Sequence, residues 1–180
     1  RRHGGGRARE ARPGHDLVIV TTAAEMRRMD TLAIERFGIP AATLMERAGT
    51  GAAAILLARF PHVREHGVVV LAGKGNNGGD GFVVARALKR RRVRTEVILA
   101  VPARELRGPA RAKLEAWQRA GGRVQQASAA KLESLARALT RAGCVVDALF
   151  GTGLSGEVTG LPAELIAMVN AAGLPTVALD

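Results

Sequence analysis

The sequence predicts an α/β fold: a mainly parallel sheet covered by helices on both faces, three αβα layers, with a helical extension on its N-terminal side. Three observations predict it. Apolar runs of strand length recur at residues 68–72, 95–101, 144–150 and 175–180, and strands that are apolar throughout are those buried on both faces. Helical patterns separate the runs, so each link is a crossover of the kind a parallel sheet requires. The two most glycine-rich stretches, 73–81 and 151–160, each follow directly on an apolar run, where the ligand-binding turns of such sheets lie. With 180 residues, 47% of them hydrophobic, the chain can bury one full core.

Taken in order, residues 1–16 (RRHGGGRAREARPGHD) lack periodic apolar positions and set five arginines against Glu10 and Asp16. A disordered basic tail is expected there, with one domain over 17–180. Residues 17–20 form a short β-prone run. Thr22-Ala23-Ala24-Glu25 fits a capping box, and Met26, Met29, Ile34 and Phe37 are spaced for the helix it opens. Gly38-Ile39-Pro40 stops that helix. A second helix is expected over about 43–60. Met26, Met29 and Met45 read as core or interface residues, packing on the sheet or on another subunit. The alternation then begins: strand 68–72, helix 81–91, strand 95–101, helix 109–120, a weak strand 124–127, helix 129–142, strand 144–150, helix 161–172 and strand 175–180.

The formal net charge is +11, with 23 arginines against 4 lysines. Arginine and alanine in this abundance suit a GC-rich bacterial genome. Tyrosine is absent and aromatics are 3%, which leaves few platforms for stacked bases. The densest cluster, Lys89 to Arg92 with Arg94, falls at a helix end, where cations complement the dipole, so no nucleic-acid partner is expected. No apolar run approaches the roughly 20 residues a membrane helix needs, and the N-terminus lacks the apolar core of a secretory signal. A cytoplasmic location is expected. The lone Cys144 reads as a buried, reduced thiol. His62 and His66 are four apart but precede the first core strand, where a surface role is expected.

In a doubly wound sheet of order 3-2-1-4-5, strands 1 and 4 flank the topological switch point, outside which ligands bind. Stretches 73–81 and 151–160, together with Asp180, should converge there. The first reads GKGNNGGDG, and Gly73, Gly75 and Gly78 satisfy G-x-G-x-x-G. Glycines allow close backbone approach to a phosphate, and the following helix offers free N–H groups to an anion. An ordinary NAD site also places an acid at the end of strand 2, yet Leu99-Ala100-Val101-Pro102 has none. The alternative is a tight turn with Asp80 as helix cap, which leaves Asn76 and Asn77 unexplained. Asp147 sits in the apolar run Val145 to Phe150, where a carboxylate is costly unless partnered. It either caps backbone N–H groups of a neighbouring loop or, with Asn77 across the crevice, holds a hard cation.

Four stretches together resemble a known family. They are Met26-Arg27-Arg28-Met29-Asp30 with Gly38-Ile39-Pro40 and Leu44-Met45-Glu46; Gly75-Asn76-Asn77-Gly78-Gly79-Asp80-Gly81; Val146-Asp147-Ala148-Leu149-Phe150-Gly151-Thr152-Gly153-Leu154; and Ala178-Leu179-Asp180. Over residues 22–180 the chain resembles the YjeF N-terminal domain family, the NAD(P)H-hydrate epimerases. The resemblance implies a Rossmann-like αβα fold, often a homodimer, and an isomerase. The implied reaction interconverts the R and S epimers of NADHX and NADPHX, nicotinamide cofactors hydrated at C6 of the ring. A partner dehydratase, dependent on ADP or ATP and often fused behind this domain in bacteria, then restores NAD(P)H from the S epimer. The implied contacts to the hydrated dinucleotide are Asn76, Asn77, Gly78, Gly79 and Asp80, then Gly151, Thr152, Gly153, Leu154, Ser155, Gly156 and Glu157. Asn77 and Asp147 would ligate one potassium ion per subunit, and Asp180 would be the acid/base near the reacting ring.

The dinucleotide is then substrate, which accounts for the missing acid and makes the G-x-G-x-x-G match close to incidental. The family continues after Asp180 with Ile-Pro-Ser-Gly, further strands and a helix. A domain incomplete at its C-terminal side is therefore expected, without the serine that would complete the potassium site. The competing readings are a non-catalytic binding or scaffold domain of the same family, or an inactive fragment of a bifunctional epimerase/dehydratase. An unrelated Rossmann domain using NAD or S-adenosylmethionine would need the acid after strand 2.

Overall fold

The computed structural model describes residues 21–179; the predicted basic tail, the run 17–20 and Asp180 lie outside them. Helix α1 (Ala23–Glu35) opens as its sequence dictates. The Glu25 N–H donates to Thr22 Oγ1 (3.3 Å), and the Thr22 N–H donates to Glu25 Oε2 (2.7 Å), which satisfies two donors the helix cannot. No α1 residue is buried. Met26 and Met29 are 44% and 54% exposed, whereas Met45 is buried. The core alternative therefore holds for Met45 alone, because α1 stands off the sheet and only α2 (Ala41–Arg59) carries its apolar face into the core. A short helix α3 (Val63–His66) follows. Four residues are too few for a periodic signal, so the sequence does not announce it.

The alternation is observed as β1 (Val68–Ala72), α4 (Asn76–Arg90), β2 (Thr95–Leu99), α5 (Gly108–Arg119), β3 (Val124–Gln126), α6 (Leu132–Thr140), β4 (Cys144–Ala148), α7 (Gly160–Ala172) and β5 (Thr176–Ala178). A 3₁₀ turn, Ala129–Lys131, takes the start of the helix expected over 129–142. All five strands pair in parallel, in the order β3-β2-β1-β4-β5. Successive side chains of a strand point to opposite faces. Val68, Val70 and Ala72 thus join one apolar layer with residues of α2, α4 and α5, including Phe82 and Trp117. Val69 and Leu71 join the other, with residues of α6 and α7. This is why β1 is apolar at every position. Each fully buried large side chain contributes roughly 1.5–3 kcal/mol.

Several polar groups at the edges of the core are partnered. Trp117 Nε1 donates to the Arg123 carbonyl at 3.1 Å. Lys113, only 8% exposed, donates to Glu46 Oε1 at 2.6 Å, and Arg86 pairs with the other oxygen of Glu46. This triad ties α2 to α4 and α5. Burial pushes the Glu46 carboxyl up, but Lys113 and Arg86 together outweigh it and hold the pKa below the usual value. Two cations of the basic cluster are tied to the backbone: Lys89 donates to the Gly121 carbonyl at 2.9 Å, and Arg94 donates to those of Arg141 (2.7 Å) and His66. His62 is exposed and lies 2.9 Å from the Gly143 carbonyl. Cys144 is fully buried. Among the described residues no helix is long and apolar enough to cross a membrane.

Candidate functional site

The strand order places β1 and β4 side by side at the switch point, with Ala72 paired to Ala148. The chain leaving β1 turns at once. The Gly73 N–H donates to the Ala148 carbonyl (3.0 Å), and α4 begins at Asn76, not near residue 81. The loop expected over 73–81 is therefore only 73–75, and residues 76–80 form the first turns of a helix. The reason is packing. A Cβ on Gly78 would lie 2.0 Å from the Gly73 carbonyl oxygen, and one on Gly73 would lie 2.0 Å from that of Leu149. Glycine normally costs a helix about 1 kcal/mol, so the run reads as a loop. Here only glycine lets the helix sit down on the turn.

Gly75 is the N-cap, with no side-chain cap and nothing within 4 Å of the place its Cβ would take. The N–H groups of Asn76, Asn77 and Gly78 thus have no intrahelical acceptor and face an approachable end; the first helical bond at this end runs from the Gly79 N–H to the Gly75 carbonyl (3.2 Å). These are the three glycine roles of the dinucleotide fingerprint: a tight turn, an open approach and close packing. The G-x-G-x-x-G match is more than incidental. Asp80, the fifth residue of α4, is not its N-cap residue.

Asn77 and Asp147 bring the two loops together. Asn77 is 8% exposed, and its Nδ2 donates to the Phe150 carbonyl at 2.5 Å, tying α4 to the exit of β4. Its Oδ1 is buried and, among the described residues, accepts no hydrogen bond, a state that costs about 1–3 kcal/mol. Asp147 is half-buried, and its Oδ1 accepts the Leu149 N–H at 3.0 Å. The capping alternative is thus realised for one oxygen, in the residue's own strand exit rather than in a neighbouring loop. Among the described residues no group of three or more His, Cys, Asp or Glu gathers. One carboxylate and a neutral carbonyl oxygen without a donor form a donor set for a hard, weakly held cation.

The remaining candidates are more open. Asn76 is exposed. Gly151–Gly153 begin a turn closed by the Leu154 N–H on the Gly151 carbonyl (3.0 Å), and Leu154, Ser155, Gly156 and Glu157 stand exposed. The Leu179 N–H donates to the Asp147 carbonyl (3.1 Å), which carries the chain to the site's rim; Asp180 itself is outside the described residues. Lys74 is exposed in the turn, a cation at the helix mouth whose only sequence signal is its place between two glycines.

These features define a doubly wound α/β domain whose switch-point crevice joins an open helix N-terminus to buried oxygen donors. The model of the YjeF-related protein N-terminus matches residues 41–180, and the chain belongs to that family. It is 42% identical over 163 residues to the bifunctional NAD(P)H-hydrate repair enzyme Nnr of Moorella thermoacetica, covering 89% of this chain and 31% of that one. It is 37% identical over 166 residues to the NAD(P)H-hydrate epimerase of Pirellula staleyi (92% of this chain, 72% of that one). Against the epimerase of Rhodobacter capsulatus it is 36% identical (89% and 74%). The chain therefore spans less than a third of its bifunctional relatives. The crystal structure of yeast ynu0 superposes with a TM-score of 0.76 at 23% identity, over 91% of this chain and 70% of that one, and has the same fold.

Proposed function

We propose that the chain is an NAD(P)H-hydrate epimerase, an isomerase that interconverts the R and S epimers of NADHX and NADPHX. One observation carries the reading: the open N-terminus of α4, with the buried Asn77 Oδ1 in its first turn and no described donor to it, in a chain whose relatives are named for that reaction. The free N–H groups of Asn76, Asn77 and Gly78 bind the pyrophosphate. Gly79 and Asp80 complete that wall, and Gly151 to Glu157 contact the dinucleotide from the other side.

Epimerisation at C6 requires that the hydroxyl leave and be restored on the opposite face. A proton must be given to it and taken back, and Asp180 is the acid/base. Asn77 and Asp147 would hold one potassium ion, which when bound offsets the negative charge between the loops. The S epimer passes to a dehydratase, supplied separately or, as the bifunctional relatives suggest, by the same polypeptide. The exposed Met26, Met29 and Phe37 of the α1 region suit a homodimer, and the cytoplasm is where the cofactors to be repaired are used.

The test follows 6R-NADHX mixed with an S-specific dehydratase. The expected result is loss of the R epimer faster than its spontaneous epimerisation. Asp180→Asn should slow this with dinucleotide binding retained. A rate equal to the uncatalysed one in the unmodified chain overturns the reading.

A further inference from the structure

A second cavity lies beside the crevice, at the carboxyl ends of β2 and β3, and none of the described residues assigned above lines it. Its volume is about 560 Å³, within the range of small-molecule sites, roughly 300–1,000 Å³. Its place in the sheet is fixed by two backbone bonds. The Ala100 N–H donates to the Ala72 carbonyl (2.9 Å), and the Ala127 N–H to that of Leu99 (3.0 Å). The cavity therefore opens one to two strand spacings, about 5–10 Å, from the turn at Gly73. In a doubly wound sheet the nucleoside beyond the pyrophosphate extends toward the end of strand 2.

The lining has the chemistry of a nucleoside subsite. Ala100, Pro102 and Leu161 supply apolar walls. The Gln126 amide nitrogen is occupied by the Leu99 (3.1 Å) and Ala127 (3.3 Å) carbonyls, which leaves its oxygen as an acceptor. Ser128 precedes the 3₁₀ turn with no side-chain cap bond, so its hydroxyl is available. Arg104 is the only charged residue in the lining among the described residues. It is exposed, and among the described residues its guanidinium makes no ion pair or hydrogen bond; only its carbonyl is used, by Arg107. Among the described residues no carboxylate lines the cavity. Glu105 is exposed next door, but Arg107 and Arg111 hold the local balance positive, with Arg111 paired to Glu115 (2.8 Å).

A site for a free ribose 2′-hydroxyl places an acid here, whereas a 2′-phosphate calls for arginine. We infer that this cavity holds the adenosine half of the hydrated dinucleotide, with Arg104 and the Ser128 hydroxyl on a 2′-phosphate, so that the domain selects NADPHX over NADHX. The inference rests on the epimerase reading for the identity of the substrate, but its test does not depend on turnover.

The full chain is titrated calorimetrically with adenosine 2′,5′-bisphosphate and with AMP. The bisphosphate should bind roughly tenfold more tightly, the effect of one charge-assisted contact. Arg104→Ala should narrow the gap below about twofold, and Arg104→Lys should keep part of it, because the charge remains while the planar fork is lost. Arg104 is exposed, so neither change threatens the fold. Equal affinity for the two ligands, no binding of either, or a gap that survives Arg104→Ala overturns the inference. A gap that depends on Arg104 in a protein without epimerase activity upholds it and sinks the epimerase reading. Normal turnover of both epimers with no gap does the reverse.

Discussion

Replacing Gly78 by alanine sets two effects of opposite sign against each other. Alanine is the better helix former by about 1 kcal/mol, and Gly78 is inside α4. Propensity alone therefore predicts a more stable protein. The added methyl, however, would lie 2.0 Å from the Gly73 carbonyl oxygen, against a contact optimum of roughly 3.5 Å. The obstacle is backbone, so the N-terminus of α4 must back away by more than about 1 Å. Overpacking of this kind costs about 1–3 kcal/mol, and a rigid obstacle argues for the upper end. The net expectation is a loss of about 2 kcal/mol, or about 4–8 °C in Tm for a chain of this size. Gly51→Ala is the control. Gly51 is inside α2, is exposed and has nothing within 4 Å of a new Cβ, so alanine should stabilise by about 0.5–1 kcal/mol. Urea unfolding of both variants measures the difference. Because Asn77 moves with the helix, epimerisation by Gly78→Ala should also fall, on the order of 100-fold for a 1 Å displacement. A Gly78→Ala protein as stable as Gly51→Ala would refute the close-packing argument.

Three further outcomes follow from the same geometry. Glu46→Gln should lower stability at pH 7 by about 1–2 kcal/mol, because it leaves the buried Lys113 without its carboxylate while Glu46 is itself partly solvated. A carboxylate whose folded pKa is depressed stabilises above its unfolded value, near 4.3, and loses that contribution as pH falls through the folded value; the gap between variant and wild type should shrink as pH falls below the unfolded value and close below the folded one, and a gap independent of pH would contradict the pairing. Burial raises the Cys144 thiol to about 11, so iodoacetamide at pH 8 should label it only as the protein unfolds, and rapid labelling of the native chain would show the site open. Potassium chloride should raise Tm above its value in choline chloride at equal ionic strength, by mass action on the folded state. Asn77→Ala should abolish that difference, and identical Tm values for the wild type in the two salts would dispose of the cation site.

The centre of the sheet was legible because β1 is buried on both faces. Val68 to Ala72 is apolar at every position, since alternate residues serve different helical layers, and no other arrangement of a five-residue strand needs that pattern. Strand order followed from chain order once crossovers were inferred. What the sequence hid was tertiary. Nothing in Met26 or Met29 distinguishes them from Met45, because spacing reports that a face is apolar and not which neighbour covers it. Asp80 resembled a cap because the glycines around it resembled a loop. The cavity at Arg104 had no local pattern at all, being assembled from the ends of β2 and β3 and the start of α7.

The amide at position 77 shows how one side chain can serve both architecture and chemistry. Its nitrogen donates to the Phe150 carbonyl, which fixes the direction of its oxygen. A carboxylate there would set two acceptors against that carbonyl, and an aliphatic side chain would leave it without a donor. Aspartate and leucine are therefore both excluded on local grounds, before any ligand is considered. The oxygen left over is buried without a donor of its own, and buried polar atoms are seldom left so. The bond that joins the two loops is thus also what holds an acceptor ready between them. Because Gly78 must seat on Gly73 for Asn77 to reach Phe150, the glycines and the amide form one device: the turn sets the height of the helix, and the helix sets the reach of the amide.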